Sequence, residues 1–303
     1  MDYSGKRKYV LQHWKGLVTK SVSLFAQWAV MIITLTGSLF GCLPEEKAGW
    51  LHHGVRYLLA NPVWVVFLLV LILLAALLYC WPKTRAVYKD RHSDITVIIE
   101  CCDILRESGM KVIHVVDTFD MALGTIISPR SLHGAFLQLC QRQQIDVDAQ
   151  VDAALAHLRP IGTNDELPGR KAQYDLGTTI RVDVGDEPFC CVAFTRLQPS
   201  GTISITKEDY IRCLKQVWRN LADPLVRSDE VNVAVMGNKF VDLPAEFSTE
   251  QKIDLMLQTF FAVMREKRCC RTLRICVHPD NATEIDFDKY PVIIDHLAKR
   301  PVI

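Results

Sequence analysis

Residues Val63–Cys80 read VWVVFLLVLILLAALLYC, eighteen in a row without a charge or a polar stripe. A helix on the surface of a soluble domain keeps one polar side for water, and this one has none. The surrounding uncharged stretch Tyr57–Pro82 carries Trp64, Tyr79 and Trp81 near its ends, where aromatic rings suit headgroup depth. A second uncharged stretch, Ser21–Leu43, is interrupted only by Gln27, Thr34, Thr36, Ser38 and other small polar residues. As a helix it would span roughly 34 Å, enough for a hydrocarbon core of about 30 Å. The expectation is a two-helix transmembrane hairpin, with spans over 21–43 and 57–82.

Charge supplies the orientation. Up to Pro82 the chain has seven Lys/Arg and three Asp/Glu, although the whole chain is nearly balanced at 35 against 34. Five of those cations (Lys6, Arg7, Lys8, Lys15, Lys20) lie in a basic N-terminal segment, 1–20, and Lys83, Arg85, Lys89 and Arg91 fall in a juxtamembrane linker, 83–93. The intervening linker, 44–56, balances Lys47 and Arg56 with Glu45 and Glu46. Cytosolic loops carry the excess of Lys and Arg, so both termini are expected in the cytoplasm, with 44–56 outside. The sequence Leu39-Phe40-Gly41-Cys42 offers another reading, a lipoprotein-type cleavage site, with a bulky Phe40 and a long lead-in. Neither a disordered tail nor a strongly basic nucleic-acid binder fits these averages.

From residue 94 to 303 the composition is that of an ordinary folded domain. Strands are expected over Ile95–Glu100, Lys111–Val116, Thr179–Val184, Phe189–Phe194, Val231–Val235 and Leu273–Val277. Helices are expected over Cys102–Glu107, Ser131–Cys140, Val147–Leu158, Lys207–Leu221, Thr249–Glu266 and Asp288–Ala298. Gly185-Asp186 reads as a hairpin turn, and Pro160–Lys171 as a long polar loop. This order implies an α/β domain, a mixed sheet with helices on both faces. Eleven cysteines include three adjacent pairs but no CxxC, which suggests buried thiols rather than zinc or a redox dithiol.

No P-loop, GxGxxG, GxSxG or HExxH is present, and nine histidines are scattered without ligand spacing. No metal site and no catalytic group are expected. Three loops leaving strands remain: Cys102-Asp103-Ile104, then Asp117-Thr118-Phe119-Asp120 running on to Gly124-Thr125-Ile126-Ile127-Ser128, then Gly237-Asn238-Lys239-Phe240. Loops at strand ends that feed helices form the crevice of an α/β sheet, and backbone N–H groups there suit phosphate. Capping by Asp103 and plain turns at the glycines are the alternative.

The motifs CDI (Cys102–Ile104), DTFD (Asp117–Asp120), IISPRSLHG (Ile126–Gly134), AFTR (Ala193–Arg196) and SITKEDYI (Ser204–Ile211), with VNVAVMG (Val231–Gly237), resemble the macro-like domain of Thoeris antiphage effectors. The resemblance covers roughly 94–298. With two spans in front, the arrangement resembles a type II Thoeris effector. It implies a macro-like sheet and a cytosolic domain that binds an ADP-ribose-derived signal, histidine-ADP-ribose. That signal would be made from NAD by a partner TIR-domain enzyme. Binding would trigger membrane disruption and abortive infection at the bacterial inner membrane.

By position the resemblance assigns ligand contacts to Asp103 and Ile104, to Asp117, Thr118, Phe119 and Asp120, to Gly124, Thr125, Ile126 and Ser128, to Arg196, and to Gly237, Asn238, Lys239 and Phe240. Cys102 and Lys239 stand where the family pattern has glycine. Two helices of one chain cannot enclose a pore, so a homo-oligomer such as a tetramer, in contact with lipid and without nucleic acid, is expected. A membrane-tethered ADP-ribosyl hydrolase, with Asp117 or Asp120 as base, and a ligand-free adaptor are the alternatives.

Overall fold

The computed structural model describes residues 3–42, 49, 53, 62–81, 83–90, 94–124, 126–167, 169–224, 226–237 and 247–299. Two compact units emerge, Arg7–Lys83 and Thr84–Ile303, the latter grouped with Met1–Lys6.

The smaller unit is built from α1 (Tyr3–Cys42) and α2 (Pro62–Tyr79). Trp28 meets Tyr79 edge to face at 6.1 Å, and Met31 and Ile32 line one groove with Leu71, Ile72 and Ala75, so the helices run antiparallel. Val22, Val30, Met31, Ile32 and Leu35 of α1, and Val63, Val66 and Leu74 of α2, are exposed. Among the described residues no helix is long and apolar enough to cross a membrane. The eighteen residues of α2 reach about 27 Å, a little under a hydrocarbon core of about 30 Å. The expected transmembrane hairpin is therefore replaced by a plainer finding, two packed helices with exposed apolar flanks. Helix α1 also begins inside the basic segment expected to precede it. Except for Gly49 and His53, the expected linker 44–56 lies outside the described residues.

The larger unit is a mixed sheet with strands in the order β1-β2-β10-β9-β3-β7-β6, and β8 (Ile203–Ser204) paired to β7. Its five central strands, β2 (Ile95–Cys101), β10 (Thr272–Val277), β9 (Glu230–Ala234), β3 (Met110–Val116) and β7 (Glu187–Leu197), are parallel. Antiparallel β1 (Arg85–Asp90) and β6 (Thr179–Val184) close the two edges. The six expected strands are present to within a few residues. Strand β1 corrects the expected linker 83–93: Arg85, Lys89 and Asp90 give it a charged appearance, yet Ala86 is buried, as an edge strand allows. Gly185, at φ +63°, turns β6 into β7 with Val184 opposite Glu187.

Alternation along the strands divides the core into two layers. Ile113 and Val115 of β3, Phe189, Cys191 and Ala193 of β7, and Ile180 and Val182 of β6 form one face. Phe136 and Leu137 of α3 (Leu132–Arg142) and Val151 and Leu155 of α4 (Val147–Leu155) cover it. On the other face, Phe194 meets Tyr210 of α5 (Lys207–Leu221) at 5.6 Å, and Trp218 meets Phe260 of α6 (Thr249–Glu266) at 5.5 Å. Thr206 caps α5, and Ser248 caps α6 with Gln251 in a reciprocal capping box, at the starts the sequence marks. A last helix, α7 (Tyr290–Lys299), lies against β1, where Tyr88 Oη donates to Asp295 at 3.3 Å. No disulfide joins the ten cysteines whose side chains are described, and burial pushes Cys190, inside β7, up to about 12. In place of the helix expected at Cys102–Glu107 there is a single 3-10 turn, Ile104–Arg106.

Gly134, in the first turn of α3, presses against the preceding loop: a Cβ there would lie 2.1 Å from the Ser128 carbonyl oxygen and 2.8 Å from Pro129 Cα. Backbone cannot yield as a side-chain tip can. Gly134→Ala should lower stability by about 1–3 kcal/mol, read as a shifted denaturant midpoint at unchanged slope.

Candidate functional site

All five parallel strands end on the same edge of the sheet, so the three loops expected to carry ligand contacts emerge together from β2, β3 and β9. Strands β9 and β3 are neighbours, and β2 stands beyond β10.

After β2, Asp103 accepts the Leu105 N–H at 3.1 Å and pairs with Arg106 at 3.4 Å. It caps the 3-10 turn, its side chain about half exposed, while Ile104 is buried beneath. The carboxylate is thus accessible but already has partners.

The loop after β3 is wholly buried in its first part. Asp117 accepts from Leu197 N at 2.9 Å and from Gln173 Nε2 at 3.0 Å, with Arg196 at 3.8 Å. Its own N–H donates to Thr195 O, and its carbonyl accepts from Tyr174 N. Burial pushes its pKa up, against the pull of those donors and of Arg196. Phe119 is buried in the left-handed region at φ +52° and stacks edge-on against Tyr174 at 5.7 Å. Asp120 accepts from Ala122 N at 3.0 Å and Arg170 N at 2.8 Å. Gly169, at φ +77°, is needed there, because a Cβ would sit 1.8 Å from Asp120 Oδ2. Thr118 is fully buried, and its hydroxyl has no partner among the described residues.

Beyond Asp120 the loop turns outward. Gly124 has φ +88°, its N–H donates to Ile127 O at 2.9 Å, and nothing described lies within 4 Å of where its Cβ would be. Ile126 is half-buried, and Ser128 Oγ accepts from Arg130 N at 3.3 Å. Thr125 lies outside the described residues. The SLHG motif that follows is structural: Ser131 caps α3 by accepting Gly134 N–H, and Gly134 permits the close approach already described. Within it, His133 is buried with Nε2 3.3 Å from Met121 Sδ, and desolvation lowers its pKa to about 3, so the ring stays neutral.

At the end of β9, Gly237 has φ +80°. Tyr210 Oη donates to the Met236 carbonyl at 3.3 Å and Lys252 Nζ to the Gly237 carbonyl at 2.8 Å, pinning the start of this loop. Asn238, Lys239 and Phe240 lie outside the described residues. No group of residues suited to a metal occurs among the described ones.

Sequence reasoning missed the segment over residues 160–174. Instead of a plain loop it contains a small hairpin, β4 (Gly162–Thr163) with β5 (Ala172–Gln173). Arg170 forks onto Asp148 and Asp152 of α4, and Gln173 and Tyr174 reach the β3 loop. Asp148 and Asp152, four residues apart on one helix face, were the signal that a cation must come to them.

The raised pKa of Asp117 has a definite sign. The folded state holds its proton more tightly than the unfolded chain, so that contribution is full below the ordinary carboxylate value and is lost as pH rises through the raised one. Asp117→Asn should gain stability relative to the parent across that window and run parallel above it, measured by denaturation over a pH series.

The model of the Thoeris protein ThsA macro domain matches residues 97–278. An Oceanobacillus iheyensis macrodomain solved with ADP covers 71% of this chain and 100% of its own, at 13% identity and a TM-score of 0.43. No curated protein matches the chain. The matched region runs from β2 through β10 and takes in the loops after β2, β3 and β9; the chain belongs to the family of the Thoeris protein ThsA macro domain.

Proposed function

We propose that this protein is a non-catalytic antiphage effector. Its macro domain binds an ADP-ribose-derived signal, with histidine-ADP-ribose the preferred form, produced by a partner TIR-domain enzyme. The observation that carries the nucleotide reading is the pair of left-handed glycines, Gly124 and Gly237, on loops from the adjacent strands β3 and β9. With open space at the Cβ position of Gly124, a ligand can approach the loop backbone closely, the Gly124 N–H itself being donated to Ile127 O. The family supports the same reading.

The membrane half of the proposal rests on composition. Helices α1 and α2 expose apolar side chains that water does not favour. The two helices would form a hairpin through the bacterial inner membrane, both termini cytoplasmic. Several copies, a tetramer in the simplest arrangement, would be needed to breach a bilayer. Against the hydrolase alternative, Asp117 and Asp120 spend their carboxylate oxygens on Leu197, Gln173, Ala122 and Arg170, which leaves neither well suited to activate water.

Titration of the full chain with ADP-ribose and with histidine-ADP-ribose should give saturable heat. Gly124→Val should weaken both at least about tenfold, or about 1.4 kcal/mol. In dye-loaded liposomes the conjugate should release dye in a manner that steepens with protein density. Leakage indifferent to ligand would remove the effector reading, and loss of conjugate on incubation with release of ADP-ribose would favour the hydrolase.

A further inference from the structure

Cys102 stands where the family pattern has glycine, and the fold gives its thiol a partner. Strand β2 ends at Cys101, opposite Val277 of β10, and the Cys102 N–H donates to the Val277 carbonyl at 3.3 Å. Side chains alternate along a strand, so Glu100 and Cys102 share a face with Cys276, which lies opposite Glu100. The Cys102 and Cys276 thiols are joined by a hydrogen bond across the two strands. Beyond Cys102 the chain folds back over this face of β10. Ile104 is buried, and Glu107 returns to Arg274 Nε at 3.4 Å, one side-chain position before Cys276.

The two thiols differ in access. Cys276 is 3% exposed, inside a strand. Its pKa is pushed well up, first by the hydrogen bond to Cys102 and then by burial, so by itself it is an inert thiol. Cys102 is half-buried and belongs to the turn after β2, where a small solute can reach it. One sulfur is placed to meet an oxidant and the other waits beside it, which is the arrangement of an attacking and a resolving cysteine. The adjacent pairs Cys190-Cys191 and Cys269-Cys270 lack that asymmetry, since all four are buried.

We propose that Cys102 and Cys276 form an oxidation site for hydroperoxides, closing to an intrachain disulfide that clamps the loop after β2 to β10. The Cys102 thiolate attacks the peroxide; an S–O bond forms, the O–O bond breaks, and the departing oxygen takes up a proton. Two electrons pass from sulfur to the peroxide, and Cys102 is left as a sulfenic acid. The Cys276 sulfur then attacks the Cys102 sulfur. The S–S bond forms, the S–O bond breaks, and hydroxide leaves with the Cys276 proton as water. Oxidising Cys102 also removes the thiol contact that most holds that proton. The sulfurs close from hydrogen-bond reach to about 2.05 Å, and Cys102, beyond the end of the β2 ladder, carries the movement. A dithiol returns the two electrons. The site stands whether or not this loop touches a nucleotide.

Hydrogen peroxide is the probe, added to the native full chain before the remaining thiols are alkylated. Trypsin should then release the peptide His92–Arg106 joined to Ile275–Lys289 with loss of two hydrogens, and dithiothreitol should part them. The first peptide also holds Cys101, which faces the other side of the sheet, so Cys101→Ser should keep the joined pair. Cys102→Ser should lower it at least about tenfold while leaving the thermal midpoint near that of the parent, which separates a lost thiol from a lost fold. Cys276→Ala should stop Cys102 at the sulfenic acid, which a 1,3-dione labels. Absence of the joined pair after peroxide would overturn the proposal, as would a pair that persists in Cys102→Ser or forms only once the chain is denatured.

Discussion

The hydrogen bonds around Asp117 hold the functional edge together. One buried side chain and its own peptide join the end of β3 to the end of β7, through Thr195 and Leu197, and to the segment before β6, through Gln173 and Tyr174. Those strands are neighbours in the sheet, but their ends would otherwise diverge into separate loops. A carboxylate can accept from several donors at once, whereas a hydroxyl or amide offers fewer lone pairs, so an acid here has a mechanical reason. Its cost is the desolvation that raises its pKa.

Asp120 extends the same logic one turn further. It seats the Gly169-Arg170 peptide, and the Arg170 side chain then crosses to α4. Thus the loop after β3 serves as a beam on which the β4–β5 hairpin is hung, and only from Ala122 onward does it turn its backbone outward. The division is physical. Asp117 and Asp120 bind the protein to itself, while Gly124 is left-handed and uncrowded. The two acids that look in sequence like ribose or water contacts are the ones most engaged internally.

Among the motifs that resemble the family, several have local explanations. Ser131 and Gly134 of SLHG set the cap and clearance of α3; Thr206 of SITKEDYI caps α5, while its Tyr210 reaches the Met236 carbonyl at the start of the β9 loop. Thr195 of AFTR receives the Asp117 N–H, and Arg196 stands nearby. These residues do not line a common pocket. They fix the helix starts and the loops beside them.

The sequence by itself determined the elements and their type. Short β-rich apolar runs marked β2, β3, β6, β7, β9 and β10, helical patterns marked α5 and α6, and Gly185 marked the β6–β7 turn, because these signals are local and act within a few residues. It also set apart a highly apolar N-terminal part from an ordinary α/β domain. Only the tertiary structure decided that β1, for all its charge, completes the sheet as an edge. It decided, too, that the stretch from Pro160 contains a hairpin held by Asp120, Asp148 and Asp152, and that the Thr118 hydroxyl is buried without a partner among the described residues. The ties that hold the hairpin join Arg170 to Asp152, Asp148 and Asp120, 18 to 50 positions away in the chain, and a contact at that distance has no periodicity to announce it.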